Sequence, residues 1–397
     1  MRKFIITLII ISTITAHQKV GKAGCAKAEV KSTSASLAKS RHLSQVAAFY
    51  FNLKRRYPNM KKVSVITIIS GLILSMVGFS FASEKVIKLS YANFFPPSHI
   101  QSILAEEWIK EIQKKTNGKV EISYFPGGSL LQGPNVFEGV VNGIADIGMS
   151  CFAYTSGRFP IMEAIDLPLG YPDGITATRV INKYFKAMNP KELSNVKVLY
   201  LHAHGPGILH SKIKIEKLED IKGVKIRTTG FSARVAKALG GVPVAMSQGM
   251  AYEALQKGIV EATFTPMETL KGWKQAEVIK YTIMCTKIGY TTGMYVIMNK
   301  AKWENLPAEI KKVFEEASHY WIEKHGKAWD QSDLEGKEFT LSLGNEIIIL
   351  PDEEHERWRK AVEPVIDEYI NEIEKKGVSG KEAIEKLRQI IKEEIAN

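Results

Sequence analysis

Apolar and polar positions along the chain repeat one succession of elements twice after residue 83. Residues 86–91 alternate as in a half-buried strand, and a helix-periodic stretch follows to about residue 116, with Ser98 as its expected N-cap. Further strands at 120–125 and 145–149 enclose a second helix. This β-α-β-α-β order predicts a parallel or mixed sheet covered by helices.

The second succession begins near Gly205. Strands are predicted at 224–228, 242–246 and 260–264 with helices between them, and a long amphipathic helix starts at Pro307. The C-terminal stretch is also helical, with an apolar inner face. The roughly 315 residues after position 82 exceed one comfortable core, so the pattern predicts an α/β protein with two lobes.

Charge is distributed unevenly along the chain. The net charge is +12, yet residues 1–82 alone hold 13 Lys and Arg against one acid, Glu29. The remaining residues hold 41 basic and 41 acidic side chains and are neutral overall. Because nucleic-acid binding needs a surplus of basic side chains on the folded protein, this distribution argues against a nucleic-acid partner.

The basic N-terminal region has the features of a targeting segment. Met60, Lys61 and Lys62 precede an apolar run at 63–79. The small residues Ser80 and Ala82 then stand at positions −3 and −1 of a candidate cleavage site. This order predicts a signal peptide over 60–82, cleaved after Ala82, and a periplasmic protein. Residues 1–59 are then an upstream segment outside the mature protein. Two alternatives remain open: an uncleaved membrane anchor at 63–79, and a lipoprotein leader ending at Cys25.

Patterns of catalytic residues are mostly missing. The sequence has no G-x-S-x-G elbow, no phosphate-binding G-x-x-x-x-G-K-[ST] loop and no complete G-x-G-x-x-G. His202 and His204 would share one face of a strand, and with His210 they are candidate metal ligands, but no acid or cysteine stands at a suitable spacing. Cys151 and Cys285 are expected to be buried thiols rather than a disulfide. We therefore expect no catalytic residue, cofactor or bound metal.

Arg227 is the candidate binding residue. On the strand at 224–228, Val224 and Ile226 share one face, so Lys225 and Arg227 share the other. Arg227 stands near the carboxyl end of that strand, where ligands collect in open α/β sheets. A guanidinium pairs with a carboxylate through two parallel hydrogen bonds. By spacing alone, a surface arginine or an internal ion pair is the favoured explanation of this position.

Several segments, in a fixed order, carry a resemblance to the periplasmic solute receptors of TRAP transporters, the tripartite ATP-independent carriers of organic acids. No single segment is decisive, but their order and spacing are specific. The segments are 124–130 (YFPGGSL), 141–148 (VNGIADIG), 217–228 (KLEDIKGVKIRT), 239–246 (LGGVPVAM), 252–260 (YEALQKGIV), 298–300 (MNK) and 306–307 (LP).

The resemblance implies a two-lobed periplasmic-binding-protein fold with an interdomain ligand cleft and long C-terminal helices. It places residues 84–204 plus 292–335 in lobe I and 205–291 plus 336–397 in lobe II. It also implies that Arg227 is the carboxylate-binding arginine. Other positions expected to line the cleft are Gln132, Ser150, Phe152, Tyr154, Thr265, Pro266, Met267 and, on less ground, Trp273.

Two departures from the family patterns narrow the expected ligand. Sialic-acid-type members carry a second arginine early in lobe II, where this chain has Gly207. Members that bind 2-oxo acids through a metal carry a Glu-Trp pair just before Pro266, where this chain has Phe264 and Thr265. The resemblance therefore implies a small acid held by one arginine, and leaves dicarboxylates, 2-oxo acids, branched aliphatic acids and aromatic acids open.

The implied function is binding without bond chemistry, followed by delivery to the membrane permease subunits of a TRAP transporter. Hinges are expected where the chain crosses between lobes, at residues 204–207 and 290–295. Two alternatives stay open at this point. One is the binding protein of an ABC importer, and the other is a secreted metal-dependent hydrolase that uses His202, His204 and His210.

Overall fold

The computed structural model describes residues 55–56 and 86–396 of the chain. The predicted signal peptide and its cleavage site lie outside these residues. Residues 86–396 fold into two β-sheets, each covered by helices. Within this part of the chain, no helix combines the length and the apolar character needed to span a bilayer. The mixed α/β architecture with two sheets confirms the predicted fold class.

The first sheet has five strands in the order β2-β1-β3-β10-β4. Strand β1 pairs in parallel with β2 and β3, and β10 runs antiparallel to both β3 and β4. Strand β10 thus returns to this sheet after the chain has formed five of the six strands of the second one. The strands are β1 (Ile87–Asn93), β2 (Val120–Phe125), β3 (Ile147–Cys151), β4 (Val196–Ala203) and β10 (Gly293–Asn299).

The second sheet has six strands in the order β11-β9-β5-β8-β6-β7. Strand β6 pairs in parallel with β7 and β8, while β5 runs antiparallel to β8 and β9. The chain enters this sheet through residues 204–207 and leaves it through residues 285–292. The strands are β5 (Ile208–Ser211), β6 (Lys225–Thr228), β7 (Val242–Ala245), β8 (Ala262–Thr265), β9 (Tyr281–Met284) and β11 (Glu346–Ile349).

Eleven α-helices cover the two sheets within residues 86–396. The first begins one residue later than the sequence predicts, because His99 and not Ser98 is its N-cap: Nδ1 of His99 accepts the backbone N–H of Gln101 at 3.1 Å. The helices are α1 (Ile100–Lys115), α2 (Val136–Val141), α3 (Gly174–Met188), α4 (Ser232–Ala238), α5 (Gln248–Gln256), α6 (Thr269–Gly272), α7 (Lys300–Glu304), α8 (Ala308–Ser342), α9 (Asp352–Val362), α10 (Pro364–Glu374) and α11 (Gly380–Ile395).

Helix α8 connects the two sheets physically. Its 35 residues correspond to a length of about 50 Å at 1.5 Å per residue. Phe314, Trp321 and Trp329 of this helix belong to the core of the first sheet, whereas Phe339 packs against the core of the second. A single helix therefore packs on both cores and fixes one side of the space between the sheets.

The C-terminal helices divide between the two cores. Trp358 and Val362 of α9 are buried with the side chains of the second sheet. Tyr369 of α10 and Leu387 of α11 are buried instead beside Tyr184 of α3, in the core of the first sheet. Assignment of all residues from 336 to 397 to lobe II is therefore wrong for α10 and α11. The apolar faces of α10 and α11 pack against α3. The order of the elements along the sequence does not reveal this packing. The other predicted lobe limits stay a prediction.

Candidate functional site

A cavity lies between the two sheets, at the carboxyl ends of strands from both of them. Its empty space amounts to about 430 Å³, the open mouth included. This position follows the general rule for open α/β sheets, in which ligands bind beyond the carboxyl ends of the strands. The cavity is lined by Phe94, Phe95, Cys151, Tyr154, His204, Arg227, Thr229, Gln248, Phe264, Thr265, Pro266, Glu268, Thr269, Trp273, Tyr290, Thr292, Met294 and Trp329.

Arg227 is buried in this cavity without an acidic partner. Alternation along β6 sends Ile226 into the core of the second sheet and Arg227 to the other side, where only 3% of it is exposed. The guanidinium donates to the backbone carbonyl of Met246 through Nε at 3.1 Å and through Nη2 at 3.0 Å. Among residues 86–396 it forms no ion pair. A buried, uncompensated cation is costly, so its retention points to an anionic ligand.

The polar groups beside Arg227 are neutral at physiological pH. Burial lowers the pKa of His204 to about 4, and its Nδ1 bonds to the carbonyl of Gly205 at 2.6 Å. Burial likewise raises the pKa of the Tyr154 phenol above its usual range. The Tyr154 hydroxyl accepts the backbone N–H of Gln248 at 3.0 Å, which joins the first sheet to α5 of the second. Arg227 is thus the one cation among the described lining residues.

Aromatic rings form much of the cavity wall. The rings of Phe94 and Trp273 are stacked, with centroids 6.3 Å apart and an interplanar angle of 18°. Tyr154 meets Phe94 edge-on at 5.5 Å, and Phe95 lies 5.8 Å from Trp273. Trp329 of α8 also lines the cavity, with its ring 5.9 Å from that of Phe95. These rings offer flat apolar surface to a bound molecule, next to the polar lining side chains Thr229, Gln248, Thr265, Thr269 and Thr292.

A buried acidic residue, Glu268, lines the cavity beside these rings, since the ring of its partner His99 lies 4.4 Å from Phe95 and 5.7 Å from Trp273. The carboxylate of Glu268 contacts Nε2 of His99, and both side chains are almost fully buried. The backbone N–H of Glu268 donates to Oδ1 of Asp333 in α8 at 2.7 Å. Burial raises the pKa of Asp333 to about 8. His99 caps the first helix of the first sheet, so this contact is a second link between the two sheets.

Five of the nine predicted site residues line the cavity: Arg227, Tyr154, Thr265, Pro266 and Trp273. Gln132 lines an adjoining depression of about 650 Å³ that shares Phe94, Tyr154 and Trp273 with the cavity. Its side-chain amide donates to the carbonyl of Gly128 at 3.1 Å. The structure therefore places Gln132 at the rim.

The remaining three predicted residues do not line the cavity. Side chains alternate along β3, so Cys151 faces the cavity and Ser150 faces the other way. The hydroxyl of Ser150 donates to the carbonyl of Gly133 at 2.7 Å. Phe152 lies in the first core, with its ring 5.0 Å from that of Phe159. Met267 is buried in the second core. Prediction of these three as cleft residues is wrong, because each position is taken up by internal packing.

Several lining residues were missed in the sequence. Phe94 and Phe95 follow the carboxyl end of β1, a position that the strand rule alone would have indicated. Gln248 begins α5 directly after β7. Glu268 and Trp329 carry no comparable signal, because their place in the cavity depends on how α8 crosses both sheets.

The candidate metal ligands are held apart by separate internal contacts. His202 lies in β4, stacks on His325 at 4.5 Å and accepts the indole N–H of Trp329 at 3.1 Å. His210 lies in β5 of the other sheet and bonds to the hydroxyl of Thr282 at 2.9 Å. Among residues 55–56 and 86–396, no three His, Cys, Asp or Glu side chains are arranged to hold a metal ion. Cys151 and Cys285 are both buried and unbridged, as predicted.

Gly207 stands where the resemblance places a second arginine in sialic-acid-type members. Gly207 lies in the crossing between β4 and β5 and pairs with Tyr290 of the other crossing, donating its N–H to the Tyr290 carbonyl at 2.7 Å. A Cβ atom at Gly207 would overlap the ring of Tyr290. No side chain fits at this position.

Two sheets joined by extended crossings, with a partly closed cavity between them and one unpaired cation in it, define a two-lobed solute-binding protein. The sequence comparison gives the particular family. Residues 91–372 match the profile of DctP, the bacterial extracellular solute-binding protein family 7, and the chain belongs to this family. The predicted resemblance to TRAP receptors is confirmed. Proteins of this family are binding receptors, not enzymes.

Individual relatives match over most of their length. A TRAP periplasmic solute-binding protein from Desulfovibrio salexigens is 31% identical with a TM-score of 0.69, over 77% of this chain and 95% of that one. A marine metagenome TRAP protein specific for aromatic acids, solved with 3-hydroxybenzoate, is 26% identical with a TM-score of 0.74, over 78% and 98%. The 2,3-diketo-L-gulonate-binding periplasmic protein YiaO of Escherichia coli is 26% identical, over 72% of this chain and 93% of its own length.

Proposed function

We propose that this protein is the extracytoplasmic receptor of a TRAP transporter, and that it binds a small organic carboxylate in the cavity between its two sheets. The carboxylate pairs with Arg227. The observation that carries this proposal is the burial of Arg227 without an acidic partner among residues 86–396. A ligand carboxylate supplies the ion-pair partner that Arg227 lacks among the described residues.

The geometry of Arg227 suits a carboxylate. The guanidinium uses Nε and Nη2 to hold the carbonyl of Met246, and the cavity borders the rest of the group. A planar fork of N–H groups matches the two oxygens of a carboxylate. Charge-assisted hydrogen bonds of this kind contribute about 1.5–3 kcal/mol net. Exclusion of water by the aromatic wall strengthens the pair further.

Binding and release require the two sheets to separate. Two polar contacts join them at the cavity, Tyr154 with Gln248 and His99 with Glu268, and the ring of Trp273 packs against Phe94 and Phe95. The crossings at 204–207 and 285–292 lie side by side through the bridge between Gly207 and Tyr290, and serve as the hinge. Ligand shifts the population towards the closed form, and that form is the one the membrane permease subunits recognise.

The known ligands of relatives support an organic acid. The marine protein described above was solved with 3-hydroxybenzoate, and YiaO is named for 2,3-diketo-L-gulonate. Both ligands carry a carboxylate. The basic leader supports the same function, with residues 60–82 as a signal peptide cleaved after Ala82 and a periplasmic location.

A thermal-shift screen of the purified protein against small organic acids tests the proposal. A carboxylic acid at about 100 times its Kd adds roughly 2.7 kcal/mol to the free energy of unfolding, and the methyl ester of the same acid adds far less. If no carboxylic acid raises the melting temperature, or if acid and ester act equally, the proposal is wrong.

A further inference from the structure

The cavity holds two ionisable side chains of opposite sign. Among its described lining residues, Arg227 is the one guanidinium and Glu268 the one carboxylic acid, while burial lowers the pKa of His204 to about 4. The nearest titratable neighbour of Glu268 on α8 is Asp333, which adds no positive charge. Lys271, three residues along the chain, is paired with Glu335 at the surface. A ligand in the cavity therefore meets one cation and one carboxylate.

The charge of Glu268 is not cancelled by His99. Nδ1 of His99 accepts the backbone N–H of Gln101 at 3.1 Å, so this nitrogen carries no proton. The ring is then the neutral tautomer, and its proton is on Nε2, which donates to Glu268. The hydrogen bond from His99 orients the carboxylate of Glu268. Because the donating ring is neutral, the two side chains together keep the negative charge of Glu268. Among residues 86–396, His99 is the only basic side chain within ion-pair distance of Glu268.

The rest of the described cavity lining offers no second cation to a ligand anion, only neutral polar side chains and aromatic rings. Phe94, Phe95, Trp273 and Trp329 present ring faces and edges. Burying an ionised carboxylate against such surface without a partner is strongly unfavourable, and placing it towards Glu268 adds repulsion between like charges. By contrast, a flat apolar body matches the stacked rings of Phe94 and Trp273.

We infer that the ligand is a monocarboxylate with an aromatic body, and that Glu268 is the residue that rejects a second carboxylate. This inference rests on the proposed function, because it takes the first carboxylate to lie on Arg227. It goes beyond that function by naming the ligand class and assigning selectivity to a residue that does not hold the ligand's own carboxylate.

Calorimetry with matched ligands tests the ligand class in the unaltered protein. Benzoate carries one carboxylate, terephthalate carries two on the same ring, and 4-carbamoylbenzoate replaces the second carboxylate with a neutral amide of equal shape. We expect benzoate and 4-carbamoylbenzoate each to bind at least about tenfold more tightly than terephthalate and than succinate. Terephthalate or succinate binding as tightly as benzoate overturns the inference. If succinate binds and depends on Arg227, the proposed function still stands; if no carboxylate binds, both fail.

The variant Glu268→Gln tests the role of that residue, since glutamine retains an acceptor for His99 and loses the charge. We expect the preference for 4-carbamoylbenzoate over terephthalate to fall at least about fivefold, mostly through tighter terephthalate binding. The control Glu335→Gln removes a nearby surface acid and should leave the preference unchanged. An unchanged preference in a folded Glu268→Gln protein overturns the role of Glu268. If this variant fails to fold, the ligand series in the unaltered protein still decides the ligand class.

Discussion

The guanidinium of Arg227 is fixed by the backbone carbonyl of Met246, which accepts from Nε at 3.1 Å and from Nη2 at 3.0 Å. Strands β6 and β7 pair in parallel, with Thr228 beside Ala245, so the carbonyl of the next residue lies beside the arginine. The protein thus orients the guanidinium with a neutral acceptor and leaves its positive charge for a ligand. Preorganisation of this kind reduces the entropy that binding costs.

The hydroxyl of Tyr154 should help to hold the closed form. Replacement of Tyr154 by Phe removes its hydrogen bond with the backbone of Gln248, which is a link between the two sheets. One such bond contributes about 0.5–1.5 kcal/mol, so ligand affinity should fall roughly 2- to 12-fold. Calorimetry gives the affinity, and small-angle scattering should show a larger radius of gyration for the ligand-free variant.

Tyr252→Phe is the matched control, because its hydroxyl bonds to Glu277 within the second half of the molecule. This variant should keep its affinity and its radius of gyration. Equal affinities for the Tyr154→Phe variant and the unaltered protein would show that the hydrogen bond does not stabilise the closed form.

Gly207 should tolerate no side chain. An alanine Cβ there would overlap the ring of Tyr290, and relief of such overpacking typically costs about 1–3 kcal/mol. Gly207→Ala should therefore lower the free energy of unfolding by that amount in urea denaturation. Gly249→Ala is the control: this position in α5 has open space around it, so alanine should leave stability unchanged or raise it slightly. Equal stabilities of the two variants would contradict the packing.

The buried carboxyl of Asp333 should make stability fall as pH rises. Burial raises its pKa to about 8, against roughly 3.9 in an unfolded chain. Between these values the folded state binds more protons than the unfolded state, so the contribution of Asp333 is full below about pH 4 and is lost as pH rises to about 8. Asparagine keeps a carbonyl acceptor for the N–H of Glu268 and does not ionise.

The free energy of unfolding of Asp333→Asn, relative to the unaltered protein, should therefore rise from pH 4 to pH 8 by more than about 1.4 kcal/mol, the equivalent of one pKa unit. Urea denaturation at both pH values measures this difference. Asp367→Asn, at an exposed position of α10, should show no such rise. A parallel pH dependence of the Asp333→Asn variant and the unaltered protein would mean that Asp333 ionises normally.

Local patterns were enough to predict strands β1–β3 and β6–β8 and the face of β6 that carries Arg227, but not β5, β9, β11 or helix α3. The place of Arg227 in a cleft was implied by the family resemblance. Alternation along β6 and the strand-end rule need only neighbouring residues. Ser150 shows what such patterns cannot decide. It was expected to line the cleft, but its neighbour on β3, Cys151, lines the cavity instead. Register decides which side chain faces the ligand, and register depends on pairing with other strands.

Features that depend on distant parts of the chain could not be predicted. The pair of His99 and Glu268 joins residues 169 positions apart, and Trp329 reaches the cavity because α8 crosses both sheets. Helices α10 and α11 return to the first core although they follow an element of the second. In each case the determining factor is which apolar surface remains uncovered once the rest of the chain has folded, and no local pattern records this.

The claim that Arg227 holds the ligand carboxylate is tested most directly by calorimetry of Arg227→Ala with the acid that gives the largest thermal shift. Lys225→Ala removes an exposed cation from the same strand and serves as the control. We expect Arg227→Ala to lose roughly 10- to 150-fold in affinity, the equivalent of about 1.5–3 kcal/mol, with an unchanged circular dichroism spectrum. Lys225→Ala should bind normally. An Arg227→Ala affinity within about threefold of the unaltered protein would contradict the account.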